Sequence, residues 1–213
     1  MKNLILITLI FFASCNLKLE KNVEKSDKSR VKRISDYKKT MDSINQSLEW
    51  KATTFGLWKS KNGDLGLKTV EATDTKEGIL IDKYLMHLAD ERPLSAVIDT
   101  ATFQELGAMF YKDKNHIYTH YTMSDGGFFW IVEKADVKTF KVIGNCYAKD
   151  KNHIFGERKM ILDSVDYKTF ITCDDCGCWA KDKNSYYSWG DKTDINDIDD
   201  RETLKMIEIL KKL

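Results

Sequence analysis

The chain has 213 residues, with 34 Lys and Arg against 33 Asp and Glu and a formal net charge of +1. A balance this even lacks the basic excess that drives nucleic-acid binding, so no nucleic-acid partner is expected. The length allows one sizeable core or two small ones, and 42% hydrophobic with 31% charged residues is ordinary for a folded domain.

The chain opens with Met1-Lys2-Asn3, an apolar run over 4–12, and then Ala13-Ser14-Cys15. A charged start, a short apolar stretch and small residues before a cut form a signal peptide, expected over 1–14. The run is well short of the roughly 20 residues that a membrane-spanning helix needs. Cysteine directly after two small residues resembles the lipobox of bacterial lipoproteins, with Phe12 where that pattern most often has Leu. The resemblance implies that Cys15 is lipidated and that its acyl chains, such as palmitate, hold the mature protein to a membrane. Removing 1–14 takes away Lys2 alone and leaves basic and acidic residues equal in number.

From Asn16 to about Arg33 the composition is Lys, Glu, Ser and Asn, too polar to bury surface that offsets the entropy of ordering, and it reads as a tether. Ile34, Tyr37, Met41, Ile44 and Leu48 then recur at spacings of three and four, predicting a short amphipathic helix, so tether and helix together occupy 15–50. Over 51–81, turn formers at Lys61-Asn62-Gly63-Asp64 separate Phe55-Gly56-Leu57-Trp58 from Leu65-Gly66-Leu67-Lys68-Thr69-Val70, which predicts a β-hairpin.

Residues 82–213 contain an internal repeat. Lys-Asp-Lys-Asn occurs three times, around Asp113 and Asn115, Asp150 and Asn152, and Asp182 and Asn184. Each copy has an aromatic three residues before its Asp (Phe110, Tyr147, Trp179) and five after it (Tyr118, Phe155, Tyr187). Asp-x-x-Thr followed by an apolar residue recurs at Asp99 to Phe103, Asp136 to Phe140, Asp166 to Phe170 and Asp200 to Leu204. Counting back from Asp99 by the same distance reaches Asp82-Lys83-Tyr84, which reads as a fourth copy that lacks the Asn. Four units are therefore expected, starting near Asp82, Asp113, Asp150 and Asp182.

Asp accepts hydrogen bonds from nearby amides and Asn tolerates a left-handed backbone, so Asp-Lys-Asn suits a tight turn between strands. In Asp-x-x-Thr the Asp caps one helical turn, which leaves Phe103, Phe140, Phe170 and Leu204 pointing inward. The fold expected is mainly β: tandem β-hairpin repeats with short capped turns, flanked by the N-terminal tether and helix and by a C-terminal helix through Leu204, Ile207, Leu210 and Leu213.

Lys-Asp-Lys-Asn with flanking aromatics, followed by Asp-x-x-Thr-Phe, resembles the DKNYY family of bacterial envelope proteins over about 82–204. The resemblance implies β-rich repeats and carries over no catalytic residue. Tyr84, His116 and His153 depart from its pattern, as does an insertion at 119–132 containing Asp125-Gly126-Gly127.

Cys146, Cys173, Cys176 and Cys178 form an even set in an exported chain, which favours disulfides. Cys146 and Cys178 share one repeat position, so stacked units could join them. The alternatives are a tetrahedral metal site built from the four thiols or a redox-active C-x-x-C. His116 and His153 read as strand residues copied by duplication, and the acidic run at 194–200 lacks the glycine that a calcium loop needs. No catalytic residue and no cofactor is expected. The function expected is that of a lipid-anchored bacterial envelope module that binds an envelope protein or ligand. The alternatives are a metal- or thiol-dependent enzyme centred on 173–178 and an immunity-type or structural envelope protein. Asn16, unlike an inner-membrane retention Asp, favours the outer membrane.

Overall fold

A computed structural model describes residues 27–75, 78–158 and 160–213. The expected signal peptide, Cys15 and the first part of the tether lie outside these residues. Helix α1 covers 27–48 and so takes in 27–33, which composition assigns to the tether. Lys and Arg there are good helix formers, and Arg30 pairs with Asp74 of the body. Val31, Ile34, Lys38, Met41, Asn45 and Leu48 form its half-buried stripe. Tyr37 and Ile44 are exposed, so the apolar spacing gives the right period on a slightly rotated face. Among the described residues no helix is long and apolar enough to cross a membrane.

Four antiparallel sheets follow, each a meander of successive strands. The first contains β1 (Lys51–Ala52), β2 (Leu57–Lys59), β3 (Leu65–Ala72) and β4 (Leu80–Leu85). Next come β5 (Gln104–Gly107), β6 (Phe110–Lys112), β7 (Ile117–Tyr121) and β8 (Phe128–Ile131), preceded by the short helix α2 (Leu94–Val97). The third has β9 (Lys141–Val142), β10 (Tyr147–Lys149) and β11 (Ile154–Gly156), with a single bridge from Phe155 to Ile161 where a fourth strand would pair. The last has β12 (Ile171–Thr172), β13 (Trp179–Lys181), β14 (Tyr186–Ser188) and β15 (Asp191–Thr193).

The repeat turns at Asp113, Asp150 and Asp182 each close a hairpin, β6–β7, β10–β11 and β13–β14, as Asp-Lys-Asn predicts. Asp82 does not: it lies inside β4, opposite Val70, with its carboxylate on Lys68. The first unit instead turns at Leu57-Trp58-Lys59-Ser60-Lys61-Asn62, where Ser60 stands in the Asp position. Its hydroxyl accepts from the amides of Asn62 and Asp64 at 3.2 and 3.1 Å. Residues 119–132 run from β7 through its connection into β8, with the expected turn at Asp125-Gly126-Gly127, where the Gly127 amide donates to Asp125 Oδ1 at 3.0 Å. Gly127 is required in that connection, because a Cβ there would stand 2.0 Å from the Tyr121 carbonyl.

Three of the four predicted anchors are buried. The ring of Phe140 wedges between Phe110 of the second sheet and Phe155 of the third, 5.3 and 5.2 Å between centroids. That of Phe170 sits likewise between Tyr147 and Tyr187 of the third and fourth. Phe103 packs on Tyr111 and Tyr118 of its own sheet. Leu204 is exposed, contrary to expectation. It lies in the first turn of helix α3 (Arg201–Lys211), and repeated steps of three residues rotate steadily around a helix of 3.6 residues per turn, so of the predicted positions Ile207 and Leu210 alone are buried. Helix α3 lies against β13 and a 3-10 turn at Asp174–Cys176 rather than along the β15 edge.

Asp113→Ala should lower unfolding stability by about 3 kcal/mol or more, since several buried donors lose their acceptor at once. Asp82→Ala, which removes only an exposed ion pair, should change it by less than about 1 kcal/mol. Urea titrations of both variants check the assignment of the turns.

Candidate functional site

Each repeat turn is organised by one buried carboxylate. Asp113 is 2% exposed, and its Oδ1 accepts from the amides of Asn115 and His116 at 2.7 and 2.8 Å. Its Oδ2 accepts from the Asp99 amide and the Tyr118 hydroxyl, both at 2.8 Å. Asp150 and Asp182 hold the amides of Asp136 and Asp166 in the same way, at 2.8 and 2.7 Å. Tyr187 repeats the role of Tyr118, whereas Phe155 at that position has no hydroxyl to offer.

The return contacts come from Asp-x-x-Thr. The hydroxyls of Thr102, Thr139 and Thr169 accept from the amides of Lys114, Lys151 and Lys183 at 3.0 to 3.1 Å. The same three lysines pair through Nζ with Asp99, Asp136 and Asp166. Asp-x-x-Thr therefore belongs with the turn that follows it, so each of these units starts at its Asp-x-x-Thr and not, as expected, at the turn Asp. Asp200 instead caps α3, accepting from the Thr203 amide at 2.7 Å.

These contacts set the acid chemistry. The side chains of Lys151 and Lys183, with the Thr hydroxyls, hold Asp136 and Asp166 down to about 2. Burial pushes Asp150 and Asp182 up, but the amides aimed at each carboxylate more than offset it, and both end below their ordinary value. Desolvation raises the Tyr147 hydroxyl to about 12, where it donates to the Cys178 carbonyl and accepts from the Gly190 amide.

The four body cysteines form two disulfides, Cys146–Cys178 and Cys173–Cys176, each with Cα atoms 5.1 Å apart. The first joins the third and fourth units through their common repeat position; the second closes the 3-10 turn. The four thiols are thus divided between two places and do not form a single tetrahedral set. Cys146 and Cys178 instead share their site with Glu157, and the three ligand atoms lie within 4.8 Å of one another. Burial raises the Glu157 carboxyl above its ordinary value.

Sequence reasoning missed Glu157. A signal existed in the repeat: position seven after the turn Asp is His120, Glu157 or Trp189, and each sits across the hairpin from the residue four before the Asp. The amides of His120, Glu157 and Trp189 donate to the carbonyls of Met109, Cys146 and Cys178 at 2.9 to 3.0 Å. Strand register forces this juxtaposition.

His120 is buried, with Nε2 3.1 Å from the Gly126 carbonyl, and desolvation lowers its pKa. His116 and His153 lie beside Asp113 and Asp150. In the acidic run, Asp194 accepts from the Asn196 amide to cap a 3-10 turn at Ile195–Asp197, a local role and not a cation loop.

Repeated Asp-Lys-Asn hairpins in stacked antiparallel sheets agree with the resemblance that the motif carries. Residues 121–191 match the DKNYY family. The DKNYY segment runs from the last residue of β7 to the first of β15. It includes the turns at Asp150 and Asp182 and all four body cysteines, and it is narrower than the 82–204 that the motif suggests. No curated protein matches the chain, and no solved structure does.

Two measurements test the site. The depressed carboxylates favour the folded, ionised form, so their contribution should be complete above the ordinary Asp value of 3.8 and be lost as pH falls through about 2. Glu157 acts in the opposite sense, costing stability as pH rises past its ordinary 4.5. Urea midpoints across pH 2 to 8 should therefore fall steeply at the acid end, and Glu157→Gln should raise them near neutrality. Separately, replacing both Cys146 and Cys178 by Ser should cost about 4 kcal/mol, against about 2 kcal/mol for Cys173 and Cys176, because the loops closed differ in length.

Proposed function

We propose that this chain is a lipid-anchored bacterial envelope protein that serves as a binding or interaction module. The observation that carries this reading is the pattern from Met1 to Cys15, a charged start, an apolar run and two small residues before cysteine. The body supports it in kind. Each of its four meanders closes its turn on one side chain, Ser60, Asp113, Asp150 or Asp182, which accepts from the turn's own amides. Met86 and Phe128 are exposed at a cleft of about 300 Å³ between the end of β4 and the start of β8, which offers apolar surface to a partner. Asn16 favours placement in the outer membrane.

Cys15→Ala should move the protein from the membrane fraction to the soluble fraction of lysed cells without altering its urea midpoint. Crosslinking in intact cells, followed by affinity recovery, should then yield one or a few discrete envelope partners with the anchored protein and lose them with Cys15→Ala. Unchanged membrane association of Cys15→Ala would overturn the anchor. Recovery of the protein alone, with a working crosslinker, would overturn the interaction module.

A further inference from the structure

We infer that the Cys146–Cys178 pair is a reduction-gated site for a thiophilic divalent cation, with Glu157 as its third ligand. The three residues converge for reasons of backbone register. Tyr147 pairs with Gly156 in the β10–β11 hairpin, so the residues just outside that pair, Cys146 and Glu157, oppose each other on one side of the ladder. The Glu157 amide donates to the Cys146 carbonyl at 3.0 Å and fixes the separation. Cys178 occupies the equivalent place before β13, which brings its Cα to 5.1 Å from that of Cys146.

In a tetrahedral zinc site the metal–sulfur and metal–oxygen distances, about 2.3 and 2.1 Å, place ligand atoms roughly 4 Å apart. In the oxidised protein the two Sγ atoms are bonded and the Glu157 carboxylate lies within 4.8 Å of both, so opening the bond lets the sulfurs part to that spacing beside a third ligand already in place. Glu157 is 9% exposed, and a buried carboxylate is costly unless a cation or donors compensate it. At the same repeat position the other copies have His120 and Trp189, so the hairpin itself makes no demand for an acid here.

The chemistry balances in two steps. A dithiol reductant supplies two electrons and two protons, becoming a disulfide itself, as the Cys146–Cys178 bond opens to two thiols. Zn2+ then displaces the protons of both thiols and of the Glu157 carboxyl to solvent and takes two thiolates and one carboxylate, with a fourth position for water or an external ligand. Cys173–Cys176 lies outside this set.

The test uses the full chain, reduced with a phosphine, which opens each disulfide by taking up the oxygen of one water and does not compete for zinc as a dithiol would. Zn2+ is titrated against a chromophoric competitor, and Co2+ reports thiolate ligation by its charge-transfer band. The reduced protein should bind one ion per chain with that band, and the oxidised protein none. Cys173→Ser with Cys176→Ser should keep the binding, Cys146→Ser with Cys178→Ser should abolish it, and Glu157→Gln should weaken it about tenfold or more. Three results would each overturn the inference: a reduced chain that binds no ion, folded or not; binding that follows Cys173 and Cys176; or affinity indifferent to Glu157→Gln.

Discussion

A carboxylate taken out of water must be met by donors, and in this fold that requirement shapes each of the last three units. Asp113, Asp150 and Asp182 are all nearly inaccessible, and each divides its two oxygens between different segments. One oxygen accepts from two amides of its own turn; the other accepts from the amide of the Asp that opens the preceding Asp-x-x-Thr. Neither set of donors alone compensates the buried charge, so turn and preceding segment form together. The Thr hydroxyl, which accepts from the Lys amide of the turn that follows, then holds the next residue, Phe, in position. Phe140 and Phe170 reach the gap between neighbouring sheets because the segment before them is pinned from both ends. A local turn preference thereby becomes contact between units.

Part of this architecture can be read in the chain. Asp-Lys-Asn between aromatic runs specifies its hairpin locally, which is why the turns at Asp113, Asp150 and Asp182 are visible from residue type alone. The partner of Asp-x-x-Thr is a different matter, since it is adjacent to a turn on either side and residue type does not choose between them. The intervals held the answer. From Asp99, Asp136 and Asp166 to the next turn Asp the steps are 14, 14 and 16 residues, while those from each turn to the following Asp-x-x-Thr are 23, 16 and 18. The nearly constant interval marks the physical contact, and the variable one contains loops that answer to nothing in common.

The first unit shows how the same turn is built without a carboxylate. Ser60 supplies one oxygen, enough for the amides of the turn but with nothing left to pin a preceding segment. Helix α1 does the pinning in its place. The Lys61 amide donates to the Leu48 carbonyl at 2.8 Å, and Lys61 Nζ pairs with Glu49 where Lys114 pairs with Asp99. Trp50 precedes Ser60 by ten residues, as Phe103 and Phe140 precede Asp113 and Asp150, and it stacks on Tyr84 at 4.3 Å. The C-terminal end of the helix is thus part of the first hairpin, which accounts for its docking on the body better than its apolar stripe does. Asp82-Lys83 repeats only two residues of the motif, whereas Lys59-Ser60-Lys61-Asn62 has both flanking lysines and the Asn and differs at the Asp position itself.

The hairpins also explain where variation is tolerated. Inside each ladder the pairs Phe110 with Thr119, Tyr147 with Gly156 and Trp179 with Ser188 are bound by register and by the rings packed between sheets. One step beyond, the backbone contact persists but the side chains are unconstrained by the turn: Met109 faces His120, Cys146 faces Glu157 and Cys178 faces Trp189. These positions are shielded yet lie outside the repeated packing, so a titratable group can sit there without breaking a turn. His120 and Glu157 both do, with His120 pushed down and Glu157 pushed up by burial, each toward its neutral form. A fold that secures its turns with one kind of buried acid leaves a second kind of buried position, next to the hairpin and not part of it, open to chemistry that differs from copy to copy.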